Sequence, residues 1–352
     1  MPNQNATVKE IARLAGVSIG TVDRVLHGRD GVAEETRENV ESIVRSLGYR
    51  PNALARQLSL GKTWLFRVLA PRAGQDSGYW GLCLEGIRAA ARDLSRFSVR
   101  TEVVEFDRYD PAGYRTLLSG TLAEGFDGLL LAPVLPDVIG PALAALPPGT
   151  PYAFFDAALE GADPVFSIGQ DAYSAGRLAG RLLSLLAPGD VPLAAIDAHP
   201  EDGHIRRRVA GFESYLREAG NRRLIVRECP GFERPEVRAR WFEDIFREEP
   251  ATSGLLVANS SGHLAGEWLA AAGKKDRCAV VSWDLVPRNA DALREGLVDC
   301  VISQRPREQG RLGLERLYRI VAHGDPGGAV AVATEILLKE NMPAPEAVEE
   351  RT

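Results

Sequence analysis

Short apolar runs alternate with longer amphipathic stretches from Trp64 onward, and this alternation constrains the fold more than any other feature. The first run is "WLFRVLA" at 64–70 and the last is "DCVISQ" at 299–304, with eight more between them. Most are separated by stretches with helical spacing, such as residues 79–97, 173–186 and 306–322. Strands that alternate with helices form parallel sheets with helices on both faces. Ten strands are too many for one comfortable sheet, so the pattern predicts an α/β domain of two lobes.

Polar and aromatic side chains follow several of these runs, where ligands bind in open α/β sheets. They are Tyr79, Trp80, Asp156, Gln170, Arg208, Asn259, Trp283, Asp284 and Gln304. Carboxylates, amides and guanidiniums hydrogen-bond hydroxyl groups, and aromatic rings pack on sugar faces. Each residue taken alone is more often a helix cap, a core residue or a solvated charge. Because they converge on one edge of the sheets, we expect a cleft for a sugar-like ligand. No pair of nucleophile and base emerges, so the site is expected to bind rather than catalyse.

The N-terminal stretch "ATVKEIARLAGVSIGTVDRVL" predicts two short helices joined by a tight turn. Thr7 and Glu10 have the spacing of a capping box, in which each side chain binds a free backbone N–H at a helix start. Gly16 can end the first helix with a positive φ, and Ser18 can cap the second. This geometry can place a second helix in the DNA major groove, although it also fits an ordinary helical hairpin.

A third helix and a short fourth one are predicted before the α/β region. Residues 34–47 have helical apolar spacing, which Gly48 and Pro51 end. Asn52 can then cap a helix of about two turns, in which Leu54 and Leu58 lie on the same face. Isolated helices shorter than about 12 residues are marginal in water. We therefore expect this segment to be helical only when something docks against it.

Composition limits the classes of partner. The 352-residue chain has a net charge of −6, but residues 1–62 carry nine basic and seven acidic side chains. This asymmetry fits a small DNA-facing module on an acidic body. The N-terminus carries charge and no apolar run typical of a signal peptide, and no long apolar stretch suggests a membrane span. The four cysteines are scattered, as expected for free thiols in the cytoplasm.

Common cofactor and catalytic motifs are missing from the sequence. "GKT" at 61–63 lacks the preceding glycine of a phosphate-binding loop, because Arg56 stands there. No dinucleotide-binding glycine motif follows the first strand, no nucleophile elbow is present, and the five histidines have no metal-ligand spacing. We expect no cofactor, no metal and no enzymatic activity.

The stretch "TVKEIARLAGVSIGTVDRVLHGRDGVAEETRENVESIVRSLGYRPNALARQL", residues 7–58, resembles the headpiece of the LacI/GalR family of bacterial transcription regulators. The remainder resembles, more diffusely, the sensor of that family, which is of the periplasmic-binding-protein type and closer to its ribose-binding branch. The resemblance implies a helix-turn-helix headpiece at 1–50, a hinge helix at 51–62 and a dimerising sensor at 63–345, with a tail at 344–352. It places lobe 1 at about 63–166 plus 292–323, and lobe 2 at about 167–291 plus 324–343.

The resemblance also implies residue roles in DNA binding. Ile19, Gly20 and Arg24 lie where the recognition helix reads bases, and Ser18 and Thr21 lie near phosphates. Leu58 matches a hinge leucine that wedges into the minor groove, with Ala55 beside it. Thr7, His27 and Asn52 complete the expected DNA-binding set.

In the sensor, the resemblance places five residues on sugar-contact positions and Trp283 on a stacking position. The five are Asp156, Arg208, Asn259, Asp284 and Gln304. We therefore expect a cytoplasmic homodimeric repressor that binds a pseudo-palindromic operator and is released by a sugar or sugar derivative. Two alternatives remain open: a ligand that strengthens DNA binding, and a sugar-binding or sugar-modifying protein that does not act on DNA.

Overall fold

The computed structural model describes residues 8–26, 30–47, 62–220 and 223–343. The chain divides into two compact units, Met1–Lys62 and Thr63–Thr352. Among the described residues, no helix is both long enough and apolar enough to cross a membrane.

The described part of the first unit consists of three helices around a small apolar core. They are α1 (Val8–Ala15), α2 (Ile19–Leu26) and α3 (Glu34–Leu47). Gly16 ends α1 with a φ of 66°, and the Val17 N–H bonds back to the Ala12 carbonyl. The Ser18 hydroxyl accepts the Thr21 N–H at 3.1 Å and so caps α2, as predicted. The predicted contacts Thr7, His27, Asn52, Ala55 and Leu58, and the expected hinge helix, lie outside the described residues.

The described residues of the second unit form two sheets, each of six strands. In chain order the strands are β1 (Trp64–Pro71), β2 (Val99–Phe106), β3 (Gly128–Leu131), β4 (Tyr152–Asp156), β5 (Phe166–Gly169), β6 (Leu193–Asp197), β7 (Leu224–Glu228), β8 (Gly254–Val257), β9 (Ala279–Trp283), β10 (Cys300–Ser303), β11 (Val330–Ala331) and β12 (Glu335–Leu337). The first sheet has the order β11-β5-β4-β3-β1-β2, and the second has the order β12-β10-β9-β8-β6-β7. All pairings are parallel except the antiparallel pairing of β10 with β12.

Helices connect the strands. They are α4 (Tyr79–Ser95), α5 (Pro111–Ala123), α6 (Pro136–Ala144), α7 (Ala172–Leu186), α8 (Gly203–Glu218), α9 (Pro235–Glu248), α10 (Gly262–Ala271), α11 (Pro287–Arg294) and α12 (Pro306–His323). The central strands β3 and β8 are buried along their whole length, as parallel strands covered on both faces must be. The predicted fold class, a small helical unit followed by a two-lobed α/β unit with parallel sheets, is confirmed.

The expected boundaries between the lobes need correction. The expected first lobe includes residues 292–323, but β10 lies between β9 and β12 in the second sheet. The expected second lobe includes residues 324–343, but β11 extends the first sheet. The chain therefore crosses between the lobes after β5, after β10 and after β11. An apolar run indicates a strand but does not indicate which of two sheets it joins.

Close packing of α7 on α8 fixes one wall of the cleft between the lobes. A Cβ at Gly176 would lie 1.9 Å from the carbonyl oxygen of Arg208, and a Cβ at Gly211 would lie 2.1 Å from that of Tyr173. Only glycine permits backbones to approach this closely. The approach positions Arg208, whose side chain belongs to the candidate site.

Candidate functional site

A cavity between the two lobes brings together most of the residues predicted from the strand ends. We call it the inner cavity; it encloses about 320 Å³ of space not filled by protein atoms, its mouth included. Seven predicted residues line it: Tyr79, Trp80, Asp156, Arg208, Asn259, Asp284 and Gln304. They come from the carboxyl ends of strands in both sheets, or from the helices beside them, as the rule for open α/β sheets requires.

On the side of the first lobe, Asp156 ends β4 with a φ of 75°. Its Oδ1 accepts the hydroxyl of Tyr79 at 2.5 Å. Burial and the neighbouring Asp156 carboxylate raise the pKa of Tyr79 well above its ordinary value, so the phenol stays a donor. The other carboxylate oxygen, Oδ2, is buried and has no hydrogen-bond partner in the described part of the chain. One oxygen is thus held in place while the other faces the cavity.

On the side of the second lobe, three residues form a buried chain of hydrogen bonds. Arg208 donates to the Ala258 carbonyl at 3.0 Å and to Oε1 of Gln304 at 2.9 Å. Gln304 in turn donates its backbone N–H and its Nε2 to the two carboxylate oxygens of Asp284, both at 3.0 Å. Burial raises the pKa of Asp284 to about 6 and lowers that of Arg208. These hydrogen bonds hold the guanidinium of Arg208 in place. Its Nε–H has no hydrogen-bond partner among the described residues.

Two predicted residues do not line the inner cavity. Trp283 is fully buried in the second lobe, and the guanidinium carbon of Arg208 lies 4.6 Å from the centroid of its ring. The indole Nε1 donates to Oε1 of Gln170 at 3.0 Å, while Nε2 of Gln170 donates to Thr334. The structure therefore places neither Trp283 nor Gln170 on the wall of the inner cavity, although Gln170 lines a neighbouring groove, and their contacts with a ligand stay predictions. Trp283 packs against the guanidinium of Arg208.

Seven further residues line the inner cavity that were not among the predicted site residues: Asp76, Arg108, His199, Asp202, His204, Ile205 and Ser260. Each lies in the segment that follows a strand: β1, β2, β6 or β8. The strand-end rule that found the others could have found these, but nothing local marked them as different from helix caps.

Arg108 links the two lobes across the cavity. Its guanidinium donates to Asp76 in its own lobe and to Asp202 in the other, the latter at 2.8 Å. All three side chains are almost completely buried. Although burial alone would lower the pKa of Arg108, the two carboxylates raise it above its ordinary value. We call this trio the interlobe ion network. Ser260 strengthens the contact by donating to the backbone carbonyl of Asp76 at 2.6 Å.

Four buried polar atoms on the wall of the inner cavity have no hydrogen-bond partner among the described residues. They are Oδ2 of Asp156, Nε2 of His199, Nε of Arg208 and Nδ2 of Asn259. Buried polar groups are normally satisfied, so each unpartnered one requires an explanation. The set contains an acceptor, two donors and a ring nitrogen that can act as either. A ligand whose groups both donate and accept would satisfy all four.

The predicted DNA-contacting face is partly described. Ile19 begins α2 with 49% of its side chain exposed, which is unusual for a large apolar residue. A Cβ at Gly20 would meet only the Ser18 hydroxyl, at 3.7 Å, so the backbone there is open. Arg24 is exposed on the same helix. Their roles in reading DNA stay predictions.

Among the described residues, no group of three or more potential metal ligands is present.

Comparison with known proteins identifies both parts of the chain. Residues 7–52 match the LacI family of bacterial regulatory proteins, and residues 68–325 match the periplasmic binding protein domain. The transcriptional regulator RafR of Escherichia coli is 26% identical over 91% of this chain and 93% of its own length.

Two solved structures have the same fold as this chain. A LacI-type transcriptional regulator from Bacteroides fragilis has a TM-score of 0.72 at 26% identity, covering 80% of this chain and 98% of that one. The lac repressor dimer bound to operator has a TM-score of 0.64 at 22% identity, covering 95% of this chain and 98% of that one.

Proposed function

Since the chain belongs to the LacI family of bacterial regulatory proteins and is a DNA-binding transcription regulator, we propose that it is a repressor. It binds a pseudo-palindromic operator as a homodimer in the cytoplasm, and a hydroxyl-rich small molecule in the inner cavity releases it. The ligand leaves unchanged, because the site binds rather than catalyses.

The observation that carries the ligand class is the set of unpartnered buried atoms on the cavity wall. A hydroxyl group donates one hydrogen bond and accepts others, so two neighbouring hydroxyls can bind Asp156 and Arg208 together. Asn259 and His199 offer positions for further hydroxyls. A hydrogen bond to a charged group contributes about 1.5–3 kcal/mol, and the low polarity of a buried site favours such bonds.

The charges of the inner cavity favour an uncharged ligand. Four carboxyl groups line it against two guanidiniums: Asp76, Asp156, Asp202 and Asp284 against Arg108 and Arg208. Arg108 is already paired with two of the carboxylates. A phosphate group would therefore meet more like charge than opposite charge, so a sugar phosphate should bind worse than the free sugar.

The proposed switch requires the lobes to move. Ligand contacts come from both lobes, so binding favours the arrangement in which the lobes are together. A coupling free energy of about 1–3 kcal/mol between ligand binding and DNA binding corresponds to a roughly 5–150-fold change in operator affinity. If the ligand instead strengthens DNA binding, the same residues hold it and only the sign of the coupling differs.

The test combines a DNA target and a ligand response. Operators are selected from random DNA with the full chain, and affinity is then measured by fluorescence anisotropy with free sugars, polyols and sugar phosphates. Asp156→Asn should abolish the response while leaving the affinity of the ligand-free protein unchanged, and Asp190→Asn, at an exposed position, serves as the control. If the ligand changes the operator affinity of the Asp156→Asn variant as much as that of the wild type, the inner cavity is not the sensor.

A further inference from the structure

We propose that a second groove beside the inner cavity binds a second sugar-type ring, joined to the ring in the inner cavity, so that the preferred effector is a disaccharide or glycoside. This inference rests on the proposed function. The groove, called here the outer groove, lies between the lobes and is lined by residues that include Pro133, Ala157, Leu159, His204, Arg206 and Arg207.

The two spaces are joined at the start of α8. Asp202 and His204 line both the inner cavity and the outer groove. Nε2 of His204 lies 3.8 Å from Oδ2 of Asp156, the oxygen that faces the inner cavity without a partner. A ring that binds Asp156 is therefore also next to His204, and a substituent on that ring would lead directly into the outer groove.

The sizes of the two spaces differ. In this arrangement of the lobes, a water-sized molecule can reach about 20 Å³ of the inner cavity and about 1060 Å³ of the outer groove. The inner cavity must therefore widen to admit a ring, as the proposed movement of the lobes allows. The outer groove already has room for an attached ring, which would keep part of its surface in water.

The walls of the outer groove have the chemistry that a sugar ring needs. The first lobe contributes a ledge of small apolar surface from Pro133, Ala157 and Leu159, on which the C–H face of a ring can pack. The second lobe contributes Arg206 and Arg207, both exposed on α8. Among the described residues, neither guanidinium donates a hydrogen bond, so both are available to ring hydroxyls.

Charge in the outer groove does not select an anion. Four carboxyl groups, those of Glu160, Asp171, Glu201 and Asp202, line the groove with the two arginines. The hydrogen bonds that Asp171 accepts from Ser174 lower the pKa of Asp171, and the attraction of Arg207 adds to this effect. The balance of charges favours a neutral, hydroxyl-rich group over a phosphate or a carboxylate.

The test compares monosaccharides with the disaccharides that contain them. Titration calorimetry on the full chain uses D-glucose with maltose and trehalose, and D-galactose with lactose and melibiose. Ala158→Trp places a large ring in the outer groove without touching the inner cavity, and Ala158→Ser is its matched control. Arg206→Ala with Arg207→Ala removes the polar wall, and Arg217→Ala on the exposed end of the same helix controls for lost charge.

We expect at least one disaccharide to bind about tenfold more tightly than its component monosaccharide. Ala158→Trp should reduce that affinity to the monosaccharide level and leave monosaccharide binding unchanged, and the double arginine variant should weaken only the disaccharide. Monosaccharides that bind as tightly as every disaccharide, or an Ala158→Trp variant that weakens both equally, would overturn the inference while the proposed function stands. If no sugar binds, the proposed function fails and this inference fails with it.

Discussion

Replacing Arg108 with methionine removes the only cation of the interlobe ion network while keeping a long side chain. Asp76 and Asp202 would then be two buried carboxylates without their common partner. Removing one member of a buried ion pair costs about 3–5 kcal/mol, because an uncompensated charge remains. Separation of the lobes would return Asp202 and Asp76 to water. The cost therefore acts mainly on the arrangement in which the lobes are together.

The size of the effect on ligand binding follows from that cost. A ligand that contacts both lobes binds only the closed arrangement, so its apparent affinity falls with the population of that arrangement. A penalty of about 3 kcal/mol, at about 1.4 kcal/mol per tenfold, weakens binding by more than about 100-fold. Circular dichroism and thermal unfolding must show that the variant still folds. Titration calorimetry with the sugar that binds the wild type measures the affinity.

Two further variants make this prediction specific. Adding Asp76→Asn and Asp202→Asn to Arg108→Met removes the unpaired charges. The triple variant should therefore bind the sugar at least about tenfold more tightly than Arg108→Met alone. Arg88→Met breaks an exposed ion pair with Glu105 and should change the affinity by less than about threefold. An Arg108→Met variant that binds within about threefold of wild type would refute the reasoning, because the network would then contribute little to holding the lobes together.

Three other predictions concern DNA binding and pH. Arg24→Ala should weaken binding to the selected operator by about 1–3 kcal/mol, with Arg45→Ala as an exposed control; equal losses in an anisotropy assay would remove Arg24 from the base-reading set. Leu58→Ala should weaken operator binding far more than binding to random DNA, and a similar loss on both would contradict the wedge role. Burial raises the pKa of Asp197 to about 6, so its charged form destabilises the fold above that pH. As pH falls from about 7 to about 5, the wild type should gain stability relative to Asp197→Asn in urea unfolding; parallel curves would contradict this.

The sequence was sufficient to predict most of the architecture. Ten predicted strands correspond to β1 through β10, because buried parallel strands have continuous apolar runs that stand out from amphipathic helices. The strands β11 and β12 escaped prediction, since two and three residues are too short to form a pattern. The sheet that β10 joins depends on contacts distant in sequence, and this is why the lobe boundaries required correction.

The candidate site was partly predictable for a related reason. Asp156 ends a strand, and Asn259, Asp284 and Gln304 follow strands. The carboxyl ends of parallel strands meet at one edge, so these residues line one cavity. The burial of a tryptophan cannot be predicted from its position at the end of a strand, so the sequence did not show that Trp283 lies in the core and not on the cavity wall.

Arg108 was missed for a different reason. It forms its decisive contact with Asp202, 94 positions away in the chain and in the other lobe. No local pattern marks a pairing between lobes.

The central claim is that a hydroxyl-rich ligand in the inner cavity controls DNA binding through Asp156 and Arg208. The most direct measurement is the affinity of the full chain for its selected operator, with and without the sugar that binds most tightly, in the wild type and in Asp156→Asn. We predict that the sugar lowers operator affinity at least about fivefold in the wild type and leaves the variant unchanged. A sugar that binds the wild type without changing its operator affinity, or that acts equally on the variant, would contradict the account.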